Sequence, residues 1–275
     1  MSIKKILLPF CDAAGLAPVA NAALVLGQSF NAQVHGLFVQ PLEGIAFMES
    51  GSVEQLRHAI EKASRQRADR LRQAQEAFQE CSRQCVDVET VFSSGDEAEG
   101  ANLSSAVRLA DISVLGSGEH YSADGRREVR DTALFGSGRP ILLVPPAGID
   151  PSSFTRVVIA WKDSIESARA LAAAHPFLRL AKEVLLVAVG HGDQPGTALR
   201  DVEQYVQLHH AEVRSKAIPT SGEDVGAALL NKCEALGDAL LVMGAYSHWR
   251  WQERVFGGVT EHVLREARIP VLMAH

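Results

Sequence analysis

Val157-Val-Ile-Ala-Trp-Lys-Asp163, just past the middle of the chain, is a short apolar run that ends on an acid and leads into an Ala-rich segment. Ile6-Leu-Leu-Pro-Phe-Cys-Asp12 has the same shape near the start. The match continues outward from these runs. Ser94-Gly95-Asp96 is echoed by Ser221-Gly222-Glu223, and sixteen residues beyond each glycine stands an acid, Asp111 and Asp238. Buried runs follow, Ile112-Ser-Val-Leu and Ala239-Leu-Leu-Val-Met. Both copies close alike, with Arg139-Pro140-Ile-Leu-Leu-Val and Ile269-Pro270-Val-Leu-Met-Ala. The chain is an internal duplication. Asp163 follows Asp12 by 151 positions, whereas Gly222 follows Gly95 by 127, so the first copy holds about 24 extra residues in its middle.

Each copy alternates strand and helix. Runs of Val, Ile and Leu predict strands over 3–8, 33–39, 86–92, 112–116 and 141–144, then 156–161, 183–189, 212–218, 239–243 and 271–274. Continuous rather than alternating apolar runs indicate a parallel sheet covered on both faces. Helical spacing separates the runs, as from Ser164 to Leu180 and from Glu223 to Leu236. The fold class read from this order is α/β, with two doubly wound five-stranded domains in tandem. The Pro/Gly/Ser-rich stretch Pro145-Pro-Ala-Gly-Ile-Asp-Pro-Ser-Ser153 reads as a linker, so the expected domains are 1–147 and 153–275.

At 275 residues, 47% apolar and 22% charged, the chain is too long for one ordinary domain and has the balance of a globular protein. A net charge of −6 argues against a broad cationic surface for nucleic acid or an anionic membrane. Four cysteines without metal-ligand spacing suit a reducing compartment. The start has a faint look of a secretion signal, but Pro9 interrupts its apolar run and Asp12 ends it. A cytoplasmic protein is the expectation. Ten histidines include no H-x3-H or H-E-x-x-H pair, and no Ser/His/Asp arrangement stands out, so neither a metal nor a catalytic residue is expected.

Ligands of a doubly wound sheet bind beyond the carboxyl ends of its strands. There the second copy reads Val242-Met-Gly244-Ala-Tyr-Ser247-His-Trp-Arg-Trp-Gln-Glu-Arg-Val-Phe-Gly257-Gly258-Val259-Thr260. Glycines opening a helix leave backbone N–H groups accessible to a phosphate, or simply make a tight turn. This stretch resembles the universal stress protein family, whose pattern here is G-x2-G-x9-G-[S/T]. Gly244 and Gly257 match it, Ser247 takes the place of the second glycine, and Gly258 takes that of the Ser/Thr. The ending Glu261-His-Val-Leu-Arg-Glu-Ala-Arg-Ile-Pro-Val-Leu272 is also similar to the family's last helix and strand.

The resemblance implies a tandem member of that family, a regulatory stress-response protein with little or no turnover. It implies binding of ATP or another adenine nucleotide by the second copy. Ala160, Trp161, Lys162 and Asp163 would lie at the end of the first strand, Val189 at the end of the second, and Met243, Gly244, Ser247, Gly257, Gly258, Val259 and Thr260 around the phosphate loop. Read from the residues alone, Asp163 is better taken as a helix cap. Family members pair through their last strands, so the two copies are expected to pair within the chain, and two chains to assemble further.

The first copy departs from the pattern. Counting back from Pro140 as from Pro270, Arg127 and Glu128 stand where Gly257 and Gly258 stand, and they obstruct a phosphate. Its extra residues, about Ser52 to Cys85, form an amphipathic helix whose stripe from Val53, Leu56, Ile60 and Ala63 to Leu71 and Phe78 reads as core packing. Two rival functions stay open. One is a ligand-binding or scaffolding protein with both nucleotide sites lost. The other is an enzyme on a related nucleotide-binding fold.

Overall fold

Isoleucine, leucine and valine on both faces of a strand leave it stable only inside a sheet with helices above and below. The computed structural model describes residues 2–40, 53–95, 103–118, 124–150, 154–190, 197–210, 212–219, 225–246 and 258–275, and in it this is what the chain does. The first half runs β1 (Lys5–Phe10), α1 (Leu16–Phe30), β2 (Gln33–Val39), α2 (Val53–Arg83), β3 (Thr90–Gly95), α3 (Leu103–Arg108), β4 (Ile112–Gly116), α4 (Asp124–Phe135) and β5 (Ile141–Val144). The second half repeats the order: β6 (Arg156–Trp161), α5 (Ile165–Leu178), β7 (Glu183–Gly190), α6 (Thr197–Gln207), β8 (Val213–Pro219), α7 (Val225–Leu236), β9 (Ala239–Gly244), α8 (Gly258–Glu266) and β10 (Val271–Ala274).

The ten strands form one sheet in the order β3-β2-β1-β4-β5-β10-β9-β6-β7-β8. Every pairing is parallel except the central one, where β5 meets β10 antiparallel with Leu142 opposite Leu272. The expected pairing of the two copies through their last strands is therefore the middle of the sheet. One face is covered by α1, α2, α5 and α6, and the other by α3, α4, α7 and α8, each with its own continuous apolar cluster. Aromatic contacts join the halves on both faces. Phe30 of α1 meets Phe177 of α5 edge-on at 5.3 Å, and Phe135 at the end of α4 lies 5.1 Å from the rings of both Tyr246 and His275. The first half also reaches α8 and the residues after it, through Ser117 Oγ to the Ala267 carbonyl at 3.0 Å and Gly118 N–H to the Leu264 carbonyl at 3.1 Å.

The repeated acid has a use in the first half, where Asp111 Oδ2 accepts from the backbone N–H groups of Lys4 and Lys5 at 2.8 and 3.0 Å and so ties the start of β1 to β4. Two strands differ most in their bounds from their apolar runs. β3 starts at Thr90 because 85–89 form the turn after α2, leaving Val86 90% exposed. β1 runs on through Pro9 to Phe10, with Pro9 paired to Leu37 of β2. On its other side the ladder to β4 covers only Ile6 and Leu7, whereas the equivalent β6–β9 ladder extends from Arg156 to Ala160. Pro9 stands where the second half has Ala160 and has no N–H to donate, so β1 parts early from β4.

The reading of α2 as core packing along its whole stripe is corrected. Ala74, Phe78 and Cys81 are buried and Leu71 packs beside them, but Ile60 is 46% exposed and its described neighbours lie in solvent. The cause is length. A 31-residue helix spans about 46 Å, more than twice the roughly 20 Å of a six-residue strand, so its first half overhangs the sheet.

Cysteine environments give a direct check of the packing. Cys11, Cys81 and Cys233 are buried, and burial is the first cause that raises each thiol, for Cys233 up to about 12. Only Cys85 is partly open. Aromatic-disulfide titration of the native chain at pH 8 is expected to label Cys85 alone in the fast phase, with the other three reacting on unfolding. Fast reaction of three or four thiols would contradict the packed arrangement. No described helix is long and apolar enough to cross a membrane.

Candidate functional site

In the second half, β6 and β9 run side by side and their carboxyl ends stop near the start of α8. Ala160 and Met243 are opposite one another in the ladder and buried, forming the floor. Trp161 ends β6 half-buried, and its indole Nε1 is enclosed with no acceptor. Lys162 and Asp163 follow, both exposed, with the Lys162 N–H 3.4 Å from Ser167 Oγ. The cap of α5 is Ser164, whose hydroxyl oxygen accepts from Ser167 N–H at 3.2 Å. Asp163 is therefore not the cap: it stands one residue too early, and the extended backbone of Ser164 aims its own hydroxyl at the open N–H. Val189 lies at the end of β7, paired with Ile218 of β8.

Gly244 is explained by packing. A Cβ there would come within 2.6 Å of Ser167 N and 2.7 Å of the Glu166 carbonyl carbon, so the start of α5 rests directly on the end of β9. Gly258 is the opposite case. It opens α8, is exposed, and a Cβ would meet no protein atom within 4 Å. Among the described residues nothing crowds a side chain at this position. Val259 is half-buried behind it. Thr260 is buried, and its Oγ1 accepts from Tyr246 N–H at 3.2 Å, holding Tyr246 in a left-handed conformation with φ 52. Ser247 and Gly257 lie outside the described residues.

The first turn of α8 also carries an acid, Glu261, whose carboxylate accepts from the Tyr246 hydroxyl. Burial and this bond hold the phenol well above its ordinary range, so it stays a donor. The same corner is fixed by His275, whose Nδ1 lies 3.0 Å from the Ala245 carbonyl and whose own carbonyl accepts from Arg169 at 2.9 Å.

The first half is arranged differently at the same place. α4 begins at Asp124, and Arg127 and Glu128 stand on its exposed face. The residues that enter the crevice are Arg126 and Arg130, an i, i+4 pair on the face that carries Val129. Arg126 is paired with Asp12 and Arg130 with Asp131. The obstruction expected at Arg127 and Glu128 is thus made by their neighbours. The spacing of Arg126, Val129, Arg130 and Ala133, three and four apart, held this signal. Among the described residues no group of three His, Cys, Asp or Glu side chains is placed to hold a metal ion.

No family model matches the sequence and no curated protein sequence matches it. Solved structures match over the full length. A universal stress protein from Archaeoglobus fulgidus covers 98% of this chain and 97% of its own, with 17% identity and a TM-score of 0.67. A Pseudomonas aeruginosa protein assigned to the universal stress proteins covers 99% and 93%, with 12% identity and a TM-score of 0.53. The cytoplasmic domain of a prokaryotic cation chloride cotransporter covers 99% and 96%, also at 12%, with a TM-score of 0.50. The tandem α/β fold is that of the universal stress proteins. Its occurrence within a transporter shows that the fold alone does not assign a role.

Proposed function

We propose that this chain, built on the tandem fold of the universal stress proteins, is a regulatory stress-response protein that binds ATP or another adenine nucleotide in its second half only. The observation that carries the reading is Gly258. Among the described residues nothing stands within 4 Å of a side chain added at the first position of α8, and a helix N-terminus with its dipole favours a phosphate. In the first half, the equivalent space is taken by Arg126 and Arg130 with their carboxylates. The acid in this turn, Glu261, is engaged by the Tyr246 hydroxyl, and binding without efficient hydrolysis is the expected behaviour.

Calorimetric titration of ATP into the intact chain and its Gly258→Asp variant tests this. Asp at the first position of α8 meets no protein atom and is favourable to the helix by about 0.3–1 kcal/mol, so the fold is retained. The same carboxylate repels a phosphate by roughly 1–4 kcal/mol, and affinity falls tenfold or more from a micromolar starting point. An Arg127→Asp control, on an exposed face of α4, leaves binding unchanged. No heat at millimolar ATP would overturn the reading. It would promote a scaffolding role, which Glu261 in the first turn of α8 and the engagement of Thr260 Oγ1 by Tyr246 favour.

A further inference from the structure

We propose that the crevice of the first half is a separate binding site for a small carboxylic acid that carries a hydroxyl or amino group beside its carboxylate. The early parting of β1 from β4 at Pro9 leaves a cleft at their carboxyl ends, roofed by α1 and α4. Its volume is about 40 Å³, a few times the ~10–15 Å³ that one water requires. That suits a molecule of a few heavy atoms. Pro9, Phe10, Leu16, Val19 and Leu115 make its walls apolar.

The polar groups set the chemistry. Arg126 and Arg130 line the cleft with side chains only 13% and 10% exposed. Two guanidinium groups this deep are held only by anionic partners. Those partners, Asp12 and Asp131, are the more open members of each pair, at 41% and 33% exposed. Arg130 spends its Nε and Nη2 on a single oxygen, Asp131 Oδ1, at 3.2 and 3.0 Å. A ligand carboxylate offering two oxygens makes a better-matched partner for that fork.

Asp12 lines the same cleft and gives Oδ2 to Arg126, while its Oδ1 is closed off from solvent and receives no hydrogen bond. An enclosed acceptor without a donor is costly. A hydroxyl or amino group reaching it from the ligand removes that cost. A phosphate dianion is disfavoured, because Asp12 lines the cleft as well and each arginine already has a carboxylate partner. α1 begins beside the cleft with no acid in its first turn, so its dipole adds to the pull on a single carboxylate. Burial keeps the neighbouring Cys11 thiol neutral, and it adds no charge.

Ligand-observed NMR and calorimetry on the full chain test this, with lactate and alanine as probes and with propionate and inorganic phosphate as comparisons. Lactate or alanine is expected to bind in the millimolar range, about tenfold tighter than propionate, in keeping with one added hydrogen bond to a charged group. Arg130→Met is expected to weaken binding by a further factor of about ten. Asp12→Ala, whose fold is checked by a thermal melt because Arg126 loses this partner, is expected to level lactate with propionate. Failure of every acid to bind, or a lactate preference that survives Asp12→Ala, would overturn the assignment. The proposal does not rest on nucleotide binding by the second half. ATP titration of the same two variants reads that reading separately, and its heat should not change in either.

Discussion

Phe78→Ala is expected to lower the stability of the chain by about 3–5 kcal/mol, while Ile60→Ala on the same helix changes it by no more than about 0.5 kcal/mol. Phe78 is 3% exposed, its ring lies 5.8 Å from that of Phe92, and it covers Gly36 of β2 so closely that a Cβ there would stand 2.6 Å from its edge. Gly36 is thus the hole that the ring fills. Gly36→Ala alone is expected to destabilise by 1–3 kcal/mol through overpacking, on the order seen for an added methyl in a full core. In the Phe78→Ala background the same methyl enters vacated space, so the two losses should not add. Urea titrations of the wild type, both single variants and the double variant measure the coupling. Strict additivity would mean that the ring does not seat on Gly36. A loss at Ile60 as large as that at Phe78 would mean that the overhanging half of α2 is packed after all.

That contrast shows what could be read from the residues and what could not. The duplication and the alternation of strand and helix follow from runs such as Val157–Trp161 and Ile141–Val144, whereas the central β5–β10 pairing was expected from the family resemblance. The stripe on α2 was legible as amphipathic, but periodicity carries no information about how far a sheet extends beneath a helix. Gly244 and Gly258 look alike in a motif, yet one is demanded by α5 lying on β9 and the other by nothing among the described residues. Only contacts distant in sequence separate the two cases. Ser164 displaced Asp163 as the cap because the choice between adjacent acceptors depends on one backbone angle. The obstruction in the first half is read at Arg127 and Glu128, which Pro140 aligns with Gly257 and Gly258, but such an alignment names a position and not the direction of a side chain. Glu128, like Gly258, faces outward, and Arg126 and Arg130, one residue before the pair and two after it, are the ones that turn inward.

Separating the halves is expected to have the other large effect. Cleavage of the gene near residue 150 should yield pieces that self-associate or precipitate when made alone and form a one-to-one complex when made together. All four residues of β5 and three of the four in β10 are fully buried, and only three residue pairs join the two strands. Without its partner, each half presents a short edge of unpaired N–H and C=O groups flanked by apolar side chains. The rings of Phe30 and Phe135 lose Phe177, Tyr246 and His275 at the same time. The loss amounts to several kcal/mol, comparable to the ~5–15 kcal/mol that holds a domain together. Because β5 and β10 are equivalent strands meeting antiparallel, β5 of one copy can pair with β5 of another by the same two-fold rule, which makes a homodimer the natural escape for the first half. Sedimentation of each half and of the co-expressed pair distinguishes these states. Two stable monomers that fail to associate would show that the sheet is not continuous in solution and that the halves are independent domains on a tether.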